Sequence, residues 1–208
     1  MNHHSSVPDP RIAFFDRHAP TWDTQGPDPV AIRRRLEELS GRLGLGPGQS
    51  VIEIGCGTGQ ITGWLAATVK PGRVVALDFS PAMLAVARTR GLEAEFRQQD
   101  ICLEGTTDER FDRVFCFSAF PHFRDAAAAL REMARRLQPA GELVVLHLSG
   151  SRPLNAFHHG LGGAVGHDRL PSAAEWPELL RPAGLVAVEA IDEEDLFLLR
   201  AIPAARGS

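Results

Sequence analysis

The stretch Val51-Ile52-Glu53-Ile54-Gly55-Cys56-Gly57-Thr58-Gly59-Gln60 decides the fold of this 208-residue chain. A short apolar run stops in three glycines at alternate positions, and Ile61, Trp64, Leu65 and Thr68 then follow at helical spacing. The pattern predicts a buried strand over 51–54, a tight glycine turn, and a helix over 60–69. In an open α/β sheet, that connection is where ligands lie. The spacing is Glu-x-Gly-x-Gly-x-Gly. The dinucleotide pattern Gly-x-Gly-x-x-Gly would require glycine at 60, where Gln60 stands.

Downstream, Pro71-Gly72 turns the chain into a second apolar strand over 73–78 that ends in Asp78. Ser80 is placed as an N-cap and Pro81 as the first residue of a helix reaching 90. Further strands are expected over 94–98, 111–117 and 142–148, with a helix over 124–137. Strands alternating with helices predict a doubly wound, mostly parallel sheet. The last two strands, 185–191 and 195–202, are joined too tightly for a crossover helix and should be antiparallel to each other. A helix over 173–181 precedes them. The segment 149–171, rich in Gly and His, reads as a long irregular loop of the kind that forms lids and binding loops.

Upstream, a helix over 28–43 turns Ile32, Leu36, Leu39 and Leu43 inward and leaves Arg33, Arg34 and Arg35 outside. Ile12, Phe14 and Phe15 mark a short amphipathic arm. Residues 1–10 are polar and read as a disordered or vector-derived tail. The expected organisation is therefore one domain over 11–208, with a helical arm over 11–46 and a lid loop over 149–171.

Composition narrows the chemistry. A net charge of −4 marks no broad nucleic-acid footprint. No apolar run reaches the length of a membrane span and no signal-peptide pattern opens the chain, so a cytoplasmic protein acting on a small molecule is expected. Cys56, Cys102 and Cys116 lack metal-pair spacing and read as free thiols. There is no Tyr, and the only Lys is Lys70, which leaves proton transfer to His, Asp or Glu. With His3 and His4 set aside in the tail, five of the six remaining histidines fall between 122 and 167.

Asp78, 23 residues after Gly55, is placed to accept hydrogen bonds from a ribose diol. The glycine spacing favours S-adenosylmethionine, which has no pyrophosphate to seat. A nicotinamide-dependent oxidoreductase would want Gly at 60 and a Tyr or Lys acid. A catalytically silent nucleoside- or metal-binding protein on the same scaffold stays open.

The order Glu53-Ile54-Gly55-Cys56-Gly57-Thr58-Gly59, Asp78, Gln99-Asp100-Ile101, Phe111-Asp112-Arg113-Val114 and Arg136-Leu137-Gln138-Pro139-Ala140-Gly141 resembles the class I S-adenosylmethionine-dependent methyltransferases. The arm Phe14-Phe15-Asp16-Arg17-His18-Ala19-Pro20 is similar to the N-terminal segment of many of them. Ala140 stands where the family commonly has glycine. The resemblance implies a Rossmann-like, mostly parallel seven-stranded sheet with an antiparallel last strand. It also implies that Glu53 orients the first loop, that Gly55, Cys56, Gly57 and Gly59 form the methionine cradle, and that Asp78 holds the ribose. Phe79 would flank the adenine, Asp100 and Ile101 would contact its polar edge, and Ser118 would lie near the methyl group. No Asn-Pro-Pro-Tyr-like segment follows the fourth strand, which disfavours methylation of base or glutamine amino groups.

A sulfonium methyl is already activated, so a base is needed only for an acceptor that carries a weakly acidic proton. The candidates are His122, which could instead cap the following helix, and His147, which could instead be a hydrogen-bonded core residue. His158, His159, His167 and Asp168 lie within eleven residues. With His147 they could ligate a divalent transition metal. Alternatively His158, His159 and His167 could contact substrate directly, move with a glycine-hinged lid, or decorate a surface loop.

Overall fold

The computed structural model describes residues 9–103, 105 and 107–205 of the chain. Residues 1–8 of the expected tail lie outside them. Asp9 and Pro10, assigned to that tail, instead start the fold: Asp9 accepts from the Arg11 amide at 2.9 Å and caps helix α1, Pro10–His18. A proline at the first helical position has the fixed φ the helix needs and no amide to leave unpaired.

Seven strands form one sheet: β1 (Ser50–Ile54), β2 (Arg73–Asp78), β3 (Glu95–Gln98), β4 (Phe111–Phe117), β5 (Leu137–His147), β6 (Leu185–Glu193) and β7 (Leu196–Pro203). Their order is β3-β2-β1-β4-β5-β7-β6. The first five run parallel, and β7 is antiparallel to both β5 and β6. This is the Rossmann-like arrangement expected. The chain reverses its direction of travel across the sheet between β1 and β4, so a crevice opens at their C-terminal ends.

Side-chain alternation divides the core into two layers. On one face Ile52, Ile54, Val114 and Val145 pack under helices α6 (Ala126–Arg135) and α8 (Trp176–Leu180). On the other, Val51, Phe115, Val144 and Leu198 meet helices α3 (Pro29–Leu43) and α4 (Thr62–Val69). Burial on both faces explains why the β1 and β2 sequences read as continuous apolar runs. Helix α5, Pro81–Thr89, begins at Ser80, whose hydroxyl accepts from the Met83 amide at 3.1 Å. A four-residue helix α2, Trp22–Gln25, lies between the arm and α3.

The largest departure from expectation is at 149–171. The segment contains α7, Ser151–Leu161, and a 3-10 turn, Gly163–Val165. Its apolar positions are Leu154, Phe157 and Leu161, spaced for one helical face, and the intervening His and Gly residues obscure the period. Asn155 locks the segment's end: its side chain donates to the Leu170 carbonyl at 2.9 Å and accepts from the Leu170 amide at 2.8 Å.

Candidate active site

The glycine turn is built by backbone. The Gly55 and Cys56 amides both donate to the Leu77 carbonyl, at 2.8 and 2.9 Å. Gly55 has φ +73°, and a Cβ there would meet the Ala119 Cβ at 2.4 Å, so only glycine fits. Gly57, φ +54°, has nothing within 4 Å of where its Cβ would stand and faces open space. Gly59 serves the turn rather than the cavity: its amide donates to the Cys56 carbonyl at 2.9 Å.

That turn floors a cavity of about 500 Å³ at the sheet's switch point. Glu53, Gly55, Cys56, Gly57, Asp78, Phe79, Asp100, Ile101 and Ser118 all line it, as do His122, His147 and His158. From the cover side come Phe14, Phe15, Trp22, Phe157 and Leu161. The arm is pinned there by two carboxylates. Asp16 accepts from the Ser80 hydroxyl at 2.6 Å, and Asp23 accepts from the Thr58 hydroxyl at 2.6 Å and pairs with Arg90.

Asp78 bridges the turn and the second strand, accepting from the Gly57 amide and the Ser80 amide, each at 2.8 Å. Burial raises its pKa to about 6 against these hydrogen bonds. Glu53 is buried beneath the turn and accepts from the Thr62 hydroxyl at 2.6 Å. Burial, reinforced by the charge of Asp78, raises its pKa to about 8. Asp100 accepts from the Cys102 amide at 2.8 Å and pairs with Arg124 at 3.2 Å. Ser118 follows β4 with φ +51°, a conformation costly for a non-glycine residue and held by its amide's bond to the Leu146 carbonyl at 2.9 Å. Burial drives the Cys56 thiol well above its ordinary pKa, so it stays an uncharged packing group.

The histidines divide. His122 does not cap α6; Asp125 does, accepting from the Ala128 amide at 2.8 Å. The His122 Nδ1 instead meets Asp168 Oδ2 at 2.7 Å, leaving Nε2 free on a ring that lines the cavity. Burial would raise the Asp168 pKa, but the hydrogen bonds from His122 and Arg11 outweigh it and hold the carboxyl below its usual range. His158 lies 5.0 Å from His122, ring centre to ring centre and tilted against it, and its Nδ1 lies 3.1 Å from the Asp168 carbonyl. His147, at the end of β5, is buried, and its Nε2 has no hydrogen-bond partner among the described residues. Burial first, then the proximity of His122 and His158, lowers its pKa to about 3, so it is neutral at any working pH.

His159 and His167 are exposed and do not line the cavity. Among the described residues no group of three or more His, Cys, Asp or Glu side chains is arranged to hold a metal ion. The expected metal set fails because adjacent helical residues His158 and His159 point about 100° apart, given 3.6 residues per turn, and because the Asp168 carboxylate is already committed to Arg11 and His122. The sequence reading assigned Asp168 to a metal and missed both Arg11 and the unpartnered Gln60 Nε2 at the cavity wall. No local signal joins Arg11 to Asp168, 157 residues away.

A family model described as a methyltransferase domain matches residues 51–141. Over 202 residues the chain is 33% identical to a ubiquinone biosynthesis O-methyltransferase of Xanthomonas oryzae pv. oryzae, a match covering 89% of this chain and 79% of that protein. The chain belongs to the class I S-adenosylmethionine-dependent methyltransferases. Over 200 residues this methyltransferase is also 32% identical to the methyltransferase GfsG of Streptomyces halstedii, covering 88% of the chain and 70% of the relative. Among solved structures, a DhpI–SAH complex superposes with a TM-score of 0.72 at 24% identity, covering 94% of this chain and 96% of that one. A Haloferax volcanii methyltransferase–Trm112 complex superposes at 0.74 and 23% identity, covering 96% and 100%. At these identities the superpositions speak for the fold. A nicotinamide oxidoreductase is set aside by the family match.

The described residues suit the cofactor. Among the described residues Gly57 offers open backbone, Gln60 Nε2 is buried without a partner, and the carboxyl groups of Glu53, Asp78 and Asp100 line a cavity that would take a cation. No helix among the described residues is long and apolar enough to cross a membrane.

Proposed function

We propose that this methyltransferase methylates an oxygen of a small, largely apolar acceptor, with His122 as the general base. The observation that carries the reading is the His122–Asp168 pair at 2.7 Å, on a ring that lines the cavity and whose remaining nitrogen has no hydrogen-bond partner among the described residues. An aligned imidazole–carboxylate pair fixes one tautomer and steadies the imidazolium as it forms. Such a base suits a hydroxyl acceptor, and the curated relative named as an O-methyltransferase supports oxygen.

In this reading Asp78 receives the ribose hydroxyls, Phe79 flanks the adenine, and Asp100 with the Ile101 backbone meets its polar edge. Glu53 and Ser118 face the methionine end over Gly55 and Gly57. When bound, S-adenosylmethionine supplies an electrophilic methyl on sulfur. His122 would take the acceptor hydroxyl's proton at Nε2, freeing the oxygen lone pair for that methyl, whose bond to sulfur would be the one broken. Phe14, Phe157 and Leu161 form an apolar cover that excludes water. His147 donates or accepts one hydrogen bond from a polar group of the acceptor. The N-terminal arm and α7 act together as the lid, with α7 replacing the loop first expected.

The test is turnover of a panel of phenolic and aliphatic alcohols with methyl-labelled S-adenosylmethionine. Transfer of label to oxygen that is lost in His122→Ala supports the reading. Full turnover in that variant, or absence of S-adenosylmethionine binding by calorimetry, ends it.

A further inference from the structure

We propose that Arg11 is a positioning residue that acts on His122 through Asp168, so that seating the N-terminal arm completes the base. The inference rests on His122 being the base. The Asp168 side chain is fully buried, and its oxygens are divided between two partners. Oδ1 accepts from Arg11 Nε at 2.9 Å and Nη2 at 2.7 Å, while Oδ2 meets His122 Nδ1 at 2.7 Å. A buried carboxylate needs a compensating charge. Here the arm delivers one that is permanent and the site supplies one that titrates.

The consequence is electrostatic. With Arg11 on Oδ1, the carboxylate already carries a permanent counter-charge, so it attracts the imidazolium that forms on His122 less strongly than a bare carboxylate would. Without Arg11, His122 becomes the sole cation available to a buried carboxylate, and its protonated form is favoured. The other titratable and charged groups near the pair include His158, 5.0 Å from His122 ring to ring, His147, Asp9, which touches Arg11 Nη1 at 3.3 Å, and Arg124, two residues from His122 on the same cavity. Arg124 is a fixed cation, but it pairs with Asp100 at 3.2 Å; Arg11 is the fixed cation on the Asp168 carboxylate. Phe15, four residues along the same arm, meets His122 edge-to-face with ring centres 5.0 Å apart, so the element that carries Arg11 also contacts the ring. Arm placement and base strength are thereby set by one helix.

The experiment is a pH titration of the His122 ring by NMR in the full chain with ring-labelled histidine, assigned by loss of its signal in His122→Asn. It needs no acceptor. Arg11→Gln and Arg11→Met should each raise the His122 midpoint by about one pH unit, and Arg11→Lys, which keeps the charge, should return it toward the wild-type value. Using both neutral variants guards against one failing to fold. An unchanged midpoint in a folded neutral variant overturns the proposal, as does a Lys variant that behaves like the neutral ones. Turnover of His122→Ala reports separately on whether His122 is the base, so either idea can fail alone.

Discussion

Asp168 meets the Nδ1 of His122 at 2.7 Å from a position 46 residues further along the chain. The two come from different elements: His122 from the turn after β4, Asp168 from the segment after α7. Each is ordinary alone. Together they make a tautomer-fixed imidazole beside the glycine turn.

Breaking the pair should cost catalysis and leave cofactor binding alone. His122→Asn is expected to lower kcat by about 10²–10⁴, with unchanged S-adenosylmethionine affinity by calorimetry. Asp168→Asn should also lower kcat while the protein still binds cofactor. A matching loss of cofactor affinity in both variants would assign the pair to structure.

The glycine turn was legible because its constraint is local: Gly55 needs a positive φ and a missing Cβ within a few residues of an apolar strand. The doubly wound sheet followed from strand–helix alternation, and the antiparallel end from a short β6–β7 connection. What could not be read was long-range. Asp168 carries no mark that distinguishes a metal ligand from a partner of His122 and Arg11, since that choice is made by tertiary packing. The helix α7 was hidden for another reason: Gly160 and the paired His158-His159 dilute an apolar stripe that Leu154, Phe157 and Leu161 nonetheless complete.

Gly55→Ala should abolish cofactor binding. The added methyl meets the Ala119 Cβ at 2.4 Å and sits at φ +73°, so both space and backbone oppose it. A loss of about 1–3 kcal/mol in folding stability is expected, measured by urea denaturation. Gly57→Ala meets no atom within 4 Å and should cost the fold only its φ strain while still obstructing cofactor, which calorimetry will separate.

Glu53 predicts proton release on cofactor binding. Its folded pKa of about 8 lies above the carboxylate reference, so near neutral pH the ligand-free protein holds a proton there that the unfolded chain does not. By linkage, this contribution to stability is fully present below about pH 4 and is lost as pH rises through about 8. A cationic sulfonium nearby favours the ionised form. Binding enthalpies at pH 7 should therefore depend on the buffer's ionisation enthalpy, and Glu53→Gln should remove much of that dependence. Buffer-independent enthalpies in the wild type would refute it.

Metal removal should change nothing. With no His, Cys, Asp or Glu cluster among the described residues arranged for an ion, dialysis against chelator is expected to leave turnover intact. His159→Ala and His167→Ala, both exposed, should keep turnover and leave folding stability within about 0.5 kcal/mol of wild type, the range of ordinary surface substitutions. Stoichiometric metal in untagged protein by elemental analysis, lost together with activity, would reverse this.

His147 sets function against stability. A buried imidazole without a partner on Nε2 weakens the fold, and replacing such a group by an apolar one of similar shape is neutral or stabilising. Its folded pKa of about 3 lies below the usual histidine range, so on acidification the unfolded chain takes a proton that the folded chain refuses. Stability is therefore lost as pH falls from about 6.5 toward 3. His147→Phe should flatten that slope in thermal melts between those values and hold or raise Tm at pH 5. On the proposed acceptor contact of its ring, the same substitution should raise KM for an acceptor that turns over while leaving S-adenosylmethionine affinity unchanged. A variant with a flattened melting profile and an unaltered acceptor KM would retain the electrostatic account and remove His147 from recognition.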